Sequence, residues 1–285
     1  MTRRRFIRES MALTIALVFL LFAATAVWAA QSDGDQGDGS SNGCSNLPDH
    51  LALQTALNSA VLTETSGLNL HMWATLVDRD GIVCAVAFSG RDRGAQWPGS
   101  RVISAQKANT ANSFSLDNTS ASNGSGAPHG LALSTANLYS AVQPGGSLFG
   151  LQESNPVDTS NAYQGPSSQY GQTNDPLVGG KVGGVNVFGG GLGLYATDKK
   201  LVGAVGLSGD TSCADHNIAW RVRKNLGLDH MLGVGGVSGD ANRPDNIIYD
   251  ITPNPSGGTG NSAGGFGHPK CINTGDPSLL PAVQP

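Results

Sequence analysis

The spacing of apolar positions changes along the chain, and each change marks an element. Leu51, Leu53, Ala56, Leu57, Ala60, Val61 and Leu62 recur at helical spacing. They predict a helix from about residue 48 to 66, with Pro48 in its first turn and Gly67 at its end. The pattern then shortens. Residues 70–77 and 82–88 read as strands joined by Arg79-Asp80-Gly81, and Asp-Gly between apolar runs is a hairpin signal. Ile82, Cys84, Val86 and Phe88 are expected on one face, because strand side chains alternate. Helical spacing returns over residues 100–115, where Val102, Ile103, Ala105, Ala108 and Ala111 supply the buried side. Lys107 lies among these small residues, either as a snorkelling surface lysine or as a ligand contact.

The densest pattern is VNVFGGGLGLYATDKKLVGAVGLSGDTSCADHNIAWRVR, residues 185–223. It reads as strand, glycine turn, strand, polar turn, strand, tight glycine turn, helix. Residues 201–207 suit a buried strand, and Gly206-Leu207-Ser208-Gly209-Asp210 breaks it. Thr211 or Ser212 is the expected N-cap, Asp215 adds negative charge to the first turn, and Gly227 suits the C-terminal cap. Ile218, Ala219, Val222 and Leu226 continue at helical spacing. A strand-to-helix elbow of this kind forms one wall of a ligand site when its backbone N–H groups point outward.

Elsewhere periodicity fades. Residues 116–180 are rich in Ser, Asn, Gly and Pro around one short helical stretch at about 134–142, and read as a long insertion. Asn118-Thr119-Ser120 and Asn123-Gly124-Ser125 are formal glycosylation sequons within it. From Gly233 the chain is again rich in Gly, Pro and Asn, with one expected edge strand at 247–251. The expected organisation is a signal peptide at 1–29, a flexible linker at 30–46, one domain at 47–251 and a Gly/Pro-rich tail at 252–285.

The first 30 residues change the picture of location. Arg3, Arg4, Arg5 and Arg8 precede an uncharged run from Met11 to Ala30, and Val27 and Ala29 suit cleavage after Ala29. Thr2-Arg3-Arg4-Arg5-Phe6-Ile7-Arg8 also resembles a twin-arginine export motif. The run is long enough to span a bilayer, which leaves an uncleaved N-terminal membrane anchor open. Four arginines and Glu9 lie in this segment, so the formal charge goes from −4 to −7 without it. No basic patch remains, which speaks against nucleic-acid binding. A periplasmic or extracellular protein is expected. The Asp-rich linker lacks the spacing of a calcium loop.

All four cysteines, Cys44, Cys84, Cys213 and Cys271, follow the signal. An even number in an exported chain favours disulfides. Three pairings are possible. Cys44–Cys84 with Cys213–Cys271 is favoured, because each bond would tie a flexible terminal segment to a core element. The sequence has no Cys-x-x-Cys, and Cys213-x-x-His216 is half a metal site at best.

Several short motifs share one order. Leu76-Val77-Asp78-Arg79-Asp80-Gly81, the helix Ser104-Ala105-Gln106-Lys107-Ala108-Asn109-Thr110-Ala111, Phe188-Gly189-Gly190-Gly191 and the elbow Gly206-Leu207-Ser208-Gly209 before an Ile218-Ala219 helix together resemble the GlcG/HbpS-like haem-binding family. The resemblance covers roughly residues 47–228. It implies an α+β fold: a central, mostly antiparallel sheet with flanking helices. It also implies a haem- or tetrapyrrole-binding protein, often a homo-oligomer, with some relatives linked to haem breakdown or redox sensing.

The histidines available as haem ligands are His50, His71, His129, His216, His230 and His268, and none lies in a quoted motif. His216, beside the elbow, is the first candidate for cofactor and metal, with His50 and His71 after it. Lys107, Ser208 and Gly209 complete the expected site, and Arg101 or Lys107 is expected to pair with a propionate. Covalent c-type haem is excluded, because Cys-x-x-Cys-His does not occur. Hydrolase chemistry is disfavoured: Gly206-x-Ser208-Gly209-Asp210 lacks the last glycine of the nucleophile elbow. Dinucleotide and P-loop fingerprints are absent. A disulfide-stapled scaffold or interaction protein without a cofactor is the alternative.

Overall fold

The computed structural model describes residues 43–117, 130–258 and 260–285. The expected signal peptide, most of the linker, both sequons and His129 lie outside the described residues. The described residues fall within one compact unit, Ser41–Pro285.

Four strands form an antiparallel sheet: β1 (Trp73–Asp78), β2 (Val83–Phe88), β4 (Gly191–Tyr195) and β5 (Leu201–Ser208), in the order β2-β1-β5-β4. Strand β3 (Leu131–Ala132) pairs separately with β6 (Gly235–Gly236). Helices α1 (His50–Thr63) and α4 (Ser212–Asn225) cover one face of the sheet, and α2 (Ser100–Phe114) covers the other. A one-turn helix, α3 (Thr159–Ala162), sits in the insertion. The α+β architecture is as the sequence predicts.

Alternation within β1 sorts the two cores. Ala74 and Leu76 join Leu53, Leu57, Ile218 and Val222 beneath α1 and α4. Trp73 and Val77 join Val102, Ala105 and Ala108 beneath α2. The expected face of β2 is corrected by a bulge. Leu76 pairs with Ala85 but Val77 pairs with Val83, so Cys84 is the extra residue. Val83, Val86 and Phe88 therefore face α2, while Ala85 and Ala87 face α1.

Small residues bring α2 close to the sheet. A Cβ on Gly206 would lie 2.0 Å from the Ser104 carbonyl oxygen and 2.4 Å from Ala108 N. The alanines of α2 thus sit directly over β5, and any side chain at 206 would push the helix away. Helix ends follow local chemistry. Asp49 Oδ1 accepts from Ala52 N at 2.9 Å to cap α1, and Thr211 Oγ1 accepts from Ala214 N at 3.3 Å to cap α4. Gly227 adopts φ +65° just past α4, as a C-terminal cap requires.

The insertion is pinned to the α2 face. Gly179 and Gly180 exchange backbone hydrogen bonds with Val83. Arg101 of α2 donates through Nε to Asp175 Oδ2 at 2.9 Å and through its terminal nitrogens to Asp175 Oδ1 and the Ala162 carbonyl. Tyr170 stacks on the guanidinium at 3.6 Å. The expected helix at 134–142 is two 3-10 turns, Thr135–Leu138 and Ser140–Val142.

The C-terminal segment is a strap, not a loose tail. Trp220 Nε1 donates to Pro281 O at 2.9 Å, Asn246 Nδ2 to Pro277 O at 3.0 Å, and Asn273 Nδ2 to Thr65 O at 3.1 Å. The edge strand expected at 247–251 is instead the short pair β7 (Ile251–Thr252) and β8 (Asn261–Ser262). Cys44 is joined to Cys84 and Cys213 to Cys271, the two pairs favoured from the sequence. Among the described residues no helix is long and apolar enough to cross a membrane.

Candidate functional site

The glycine elbow after β5 is closed. Lys107 reaches across from α2, and its Nζ donates to the Leu207 carbonyl at 2.9 Å and to Asp215 Oδ2 at 2.7 Å. Asp215 Oδ1 accepts from Asp210 N at 2.9 Å, and Asp210 Oδ1 accepts from Leu68 N at 2.8 Å and from Thr211 N at 2.5 Å. The elbow's N–H groups at 210 and 211 are therefore taken up by protein, not turned outward. Lys107 and Asp215 are almost completely buried. Burial lowers the Lys107 ammonium and pushes the Asp215 carboxyl up to about 6, each opposed by attraction to the other. The two are held together as a hydrogen-bonded pair.

Ser208 and Gly209 are buried too. Ser208 pairs with Trp73 in the sheet, and Gly209 lies against the backbone of His71 and Met72, where a Cβ would meet the His71 carbonyl at 2.3 Å. Arg101 is held by Asp175 and Ala162, as described above. Neither basic residue expected to meet a propionate has its charge turned to solvent.

His216 is fully buried under residues 245–247. Its Nε2 lies 3.2 Å from both Asn246 Oδ1 and Ile247 N, and its Nδ1 has no hydrogen-bond partner among the described residues. Desolvation lowers its pKa to about 4, so the ring is neutral. His50 is half-buried, and its Nε2 lies 2.9 Å from the Gly171 carbonyl. His268, one of the remaining histidines, sits on the strap with Nε2 2.7 Å from Ser212 Oγ, and burial lowers it to about 4.

His71 is different. It is exposed at the start of β1, its ring 6.1 Å from that of Phe88 and edge-on to it. Phe88 in turn stacks on Trp73 at 4.6 Å. A cleft of about 190 Å³ opens beside it, lined by Phe88, Gly90, Arg91, Arg93, Tyr170 and Gln172 among others. His71 does not itself line the cleft but adjoins Gly90, which does: a Cβ on Gly90 would lie 3.1 Å from His71 Cδ2. Ser89 Oγ, which accepts from Met72 N at 2.8 Å, is 3.3 Å from His71 Nδ1. Arg91 and Arg93 are exposed on the rim of the cleft. The structure thus brings Lys107, Ser208, Gly209 and His216 around a closed elbow and sets His71 apart, beside an open cleft. Arg91, Arg93 and Tyr170 were not anticipated; the available signal was Arg91-Asp92-Arg93 directly after a strand.

A four-stranded antiparallel sheet between two helices and one helix, with a Lys–Asp pair locking a glycine elbow, is the class of fold. The chain belongs to the HbpS-like family: the family described as haem degrading protein HbpS-like matches residues 50–224. Residues 225–285, including the strap, lie beyond that match. Two solved structures are similar. One is Klebsiella pneumoniae protein ORFY, of family DUF336, at 24% identity over 62% of this chain and 89% of that chain, with a TM-score of 0.38. The other is PduOC in a haem complex, at 20% identity over 64% of this chain and 94% of that chain, with a TM-score of 0.41. No curated protein matches the chain.

Proposed function

We propose that this protein binds haem or a related tetrapyrrole outside the cytoplasm. Membership of the HbpS-like family over residues 50–224 carries the reading. The cleft beside His71 supports it. An imidazole with one nitrogen toward solvent, an aromatic flank at Phe88 and two arginines for carboxylates are the groups a haem edge needs. His216 fits less well, because residues 246–247 would have to lift before iron reached it.

A cleft of about 190 Å³ is below the roughly 300–1,000 Å³ of pockets that enclose such ligands. His71 would therefore hold one edge of the macrocycle, and a second copy of the chain would cover the rest. Two disulfides favour an exported protein. Bound haem would supply redox chemistry at iron; the chain's own part is to bind, orient and partly shield it. The closed elbow favours one competing reading, a scaffold that keeps the fold without the cofactor.

Haemin titration of the full chain, followed by Soret absorbance, tests this. A saturable shift at micromolar haemin is expected, lost in His71→Ala and kept in His216→Ala. The reverse pattern would move the site to the elbow, and no shift in the unsubstituted protein would leave the scaffold reading standing.

A further inference from the structure

The Cys213–Cys271 disulfide has a third potential ligand beside it. Both sulfurs and a ring nitrogen of His268 lie within 4.8 Å of one another. Cys213 is the second residue of α4, whereas His268 and Cys271 lie on the strap, in a His-x-x-Cys spacing. The half-site visible in the sequence, Cys213-x-x-His216, is not the one that assembles: His268 takes the place expected for His216.

The three donors are positioned independently of the disulfide. Cys271 N donates to Thr274 Oγ1 at 2.8 Å, and Thr274 Oγ1 donates back to the Cys271 carbonyl at 2.8 Å. Asn273 ties the next residues to the Thr65 and Gly67 carbonyls. His268 N donates to Ile248 O at 2.7 Å, and the ring packs 5.0 Å from that of Tyr139. Cys213 N donates to Cys271 Sγ at 3.1 Å, a contact that would stabilise a thiolate at 271. Breaking the S–S bond would leave two sulfurs, free to swing apart by side-chain rotation, and an imidazole, on backbone held by the groups around it.

We propose that, once this disulfide is reduced, Cys213, Cys271 and His268 form a site for a soft tetrahedral divalent ion such as zinc. A dithiol reductant supplies two electrons and two protons, becomes a disulfide itself, and leaves two thiols. The ion then displaces both thiol protons and takes the two thiolates and one lone pair of His268, with water in the fourth position. Two thiolates and an imidazole are a zinc donor set. Whichever ring nitrogen binds, it exchanges one hydrogen bond, to Ser212 or to the Pro269 carbonyl, for the ion. The strap would thus be fastened to α4 covalently under oxidising conditions and by metal under reducing ones. The other sulfur cluster, Cys44, Cys84 and Asp78, is a poorer site, because Asp78 Oδ1 already accepts from Asp80 N and Ile82 N at 2.9 Å.

Cobalt(II) is the probe, since thiolate-to-cobalt charge transfer and tetrahedral d–d bands report the ligands directly. The full chain, oxidised or reduced with a phosphine and stripped of reductant, is titrated anaerobically. The oxidised protein should show no thiolate band and the reduced protein a saturable one, displaced by zinc. His268→Ala should weaken binding at least about tenfold. Asp78→Asn should leave the band unchanged, and so should Cys44→Ser with Cys84→Ser if that variant folds. A reduced protein without the band would overturn the proposal. So would a band that ignores His268→Ala, or one lost in Asp78→Asn.

Discussion

His216, on α4, and His71, just before β1, stand in opposite surroundings. His216 is sealed beneath Asn246 and Ile247, neutral, with one ring nitrogen unpartnered among the described residues. His71 is exposed beside Phe88 and a cleft edged by arginines. The first sits in a region that spends its polar groups on the fold: Lys107, Asp215, Asp210 and Arg223 each meet a buried partner. The second sits where polar groups remain turned to water. Sequence position beside a glycine elbow does not distinguish structural from ligand-facing histidines; what covers each one does. Substitutions in the closed region should move stability, and substitutions at the open cleft should move ligand affinity.

The largest effect is expected at the centre of the closed region. Lys107→Ala strands the Asp215 carboxylate in a dry core, and breaking one side of a buried pair costs about 3–5 kcal/mol. Urea unfolding should show this as a lower midpoint. Adding Asp215→Asn removes the stranded charge and should restore part of the loss. A Lys107→Ala protein as stable as the parent would show that the pair contributes nothing and that the elbow is looser than described.

Acid should act on the same region, somewhat more weakly. His216 and His268 ionise at about 4 when folded, against 6.5 as free groups. The unfolded chain takes up their protons first, so stability is lost as pH falls from about 6.5 to 4. Each histidine would account for about 3 kcal/mol at about 1.4 kcal/mol per pH unit. Asp215, raised to about 6, has the opposite sign: its contribution is present at low pH and is lost as pH rises through 6. One such group against two histidines leaves a net loss of about 3 kcal/mol on acidification. Unfolding midpoints at pH 7 and pH 4.5 measure it, and equal midpoints would mean that water reaches both rings.

The contrast also explains which parts were readable beforehand. Helices α1, α2 and α4 and the β1–β2 hairpin announce themselves because each has an apolar period of its own; α2 begins at the expected residue 100, and α4 directly after Thr211, one of its two expected caps. The cysteine pairing was legible because each terminal segment needed a tie. The Cys84 bulge was not, since an extra residue leaves no trace in composition. Lys107 looked like a surface lysine, because its partner is 108 residues away on another helix. The strap was least legible: it has no hydrophobic period, and it is held by α4 side chains such as Trp220 and by Asn246 and Asn273. The closure of His216 came from Asn246 and Ile247, which no period marks as a cover over α4, and so could not be foreseen.

The smallest effect on stability, and the sharpest test of the contrast, belongs to the open cleft. Arg91 and Arg93 are exposed, and replacing both with alanine should change stability by no more than about 0.5 kcal/mol. Their place in the proposed function is to meet a carboxylate at the protein surface. Such contacts contribute about 0.2–1 kcal/mol each, so haemin affinity should fall about fivefold in the double variant. The loss should shrink as salt is raised, because exposed charges are screened over about 8–10 Å. Haemin titrations at low and high salt, with unfolding curves on the same samples, separate the two quantities. An affinity unchanged at low salt would detach the arginines from the ligand, and a large loss of stability would place them with the closed region instead.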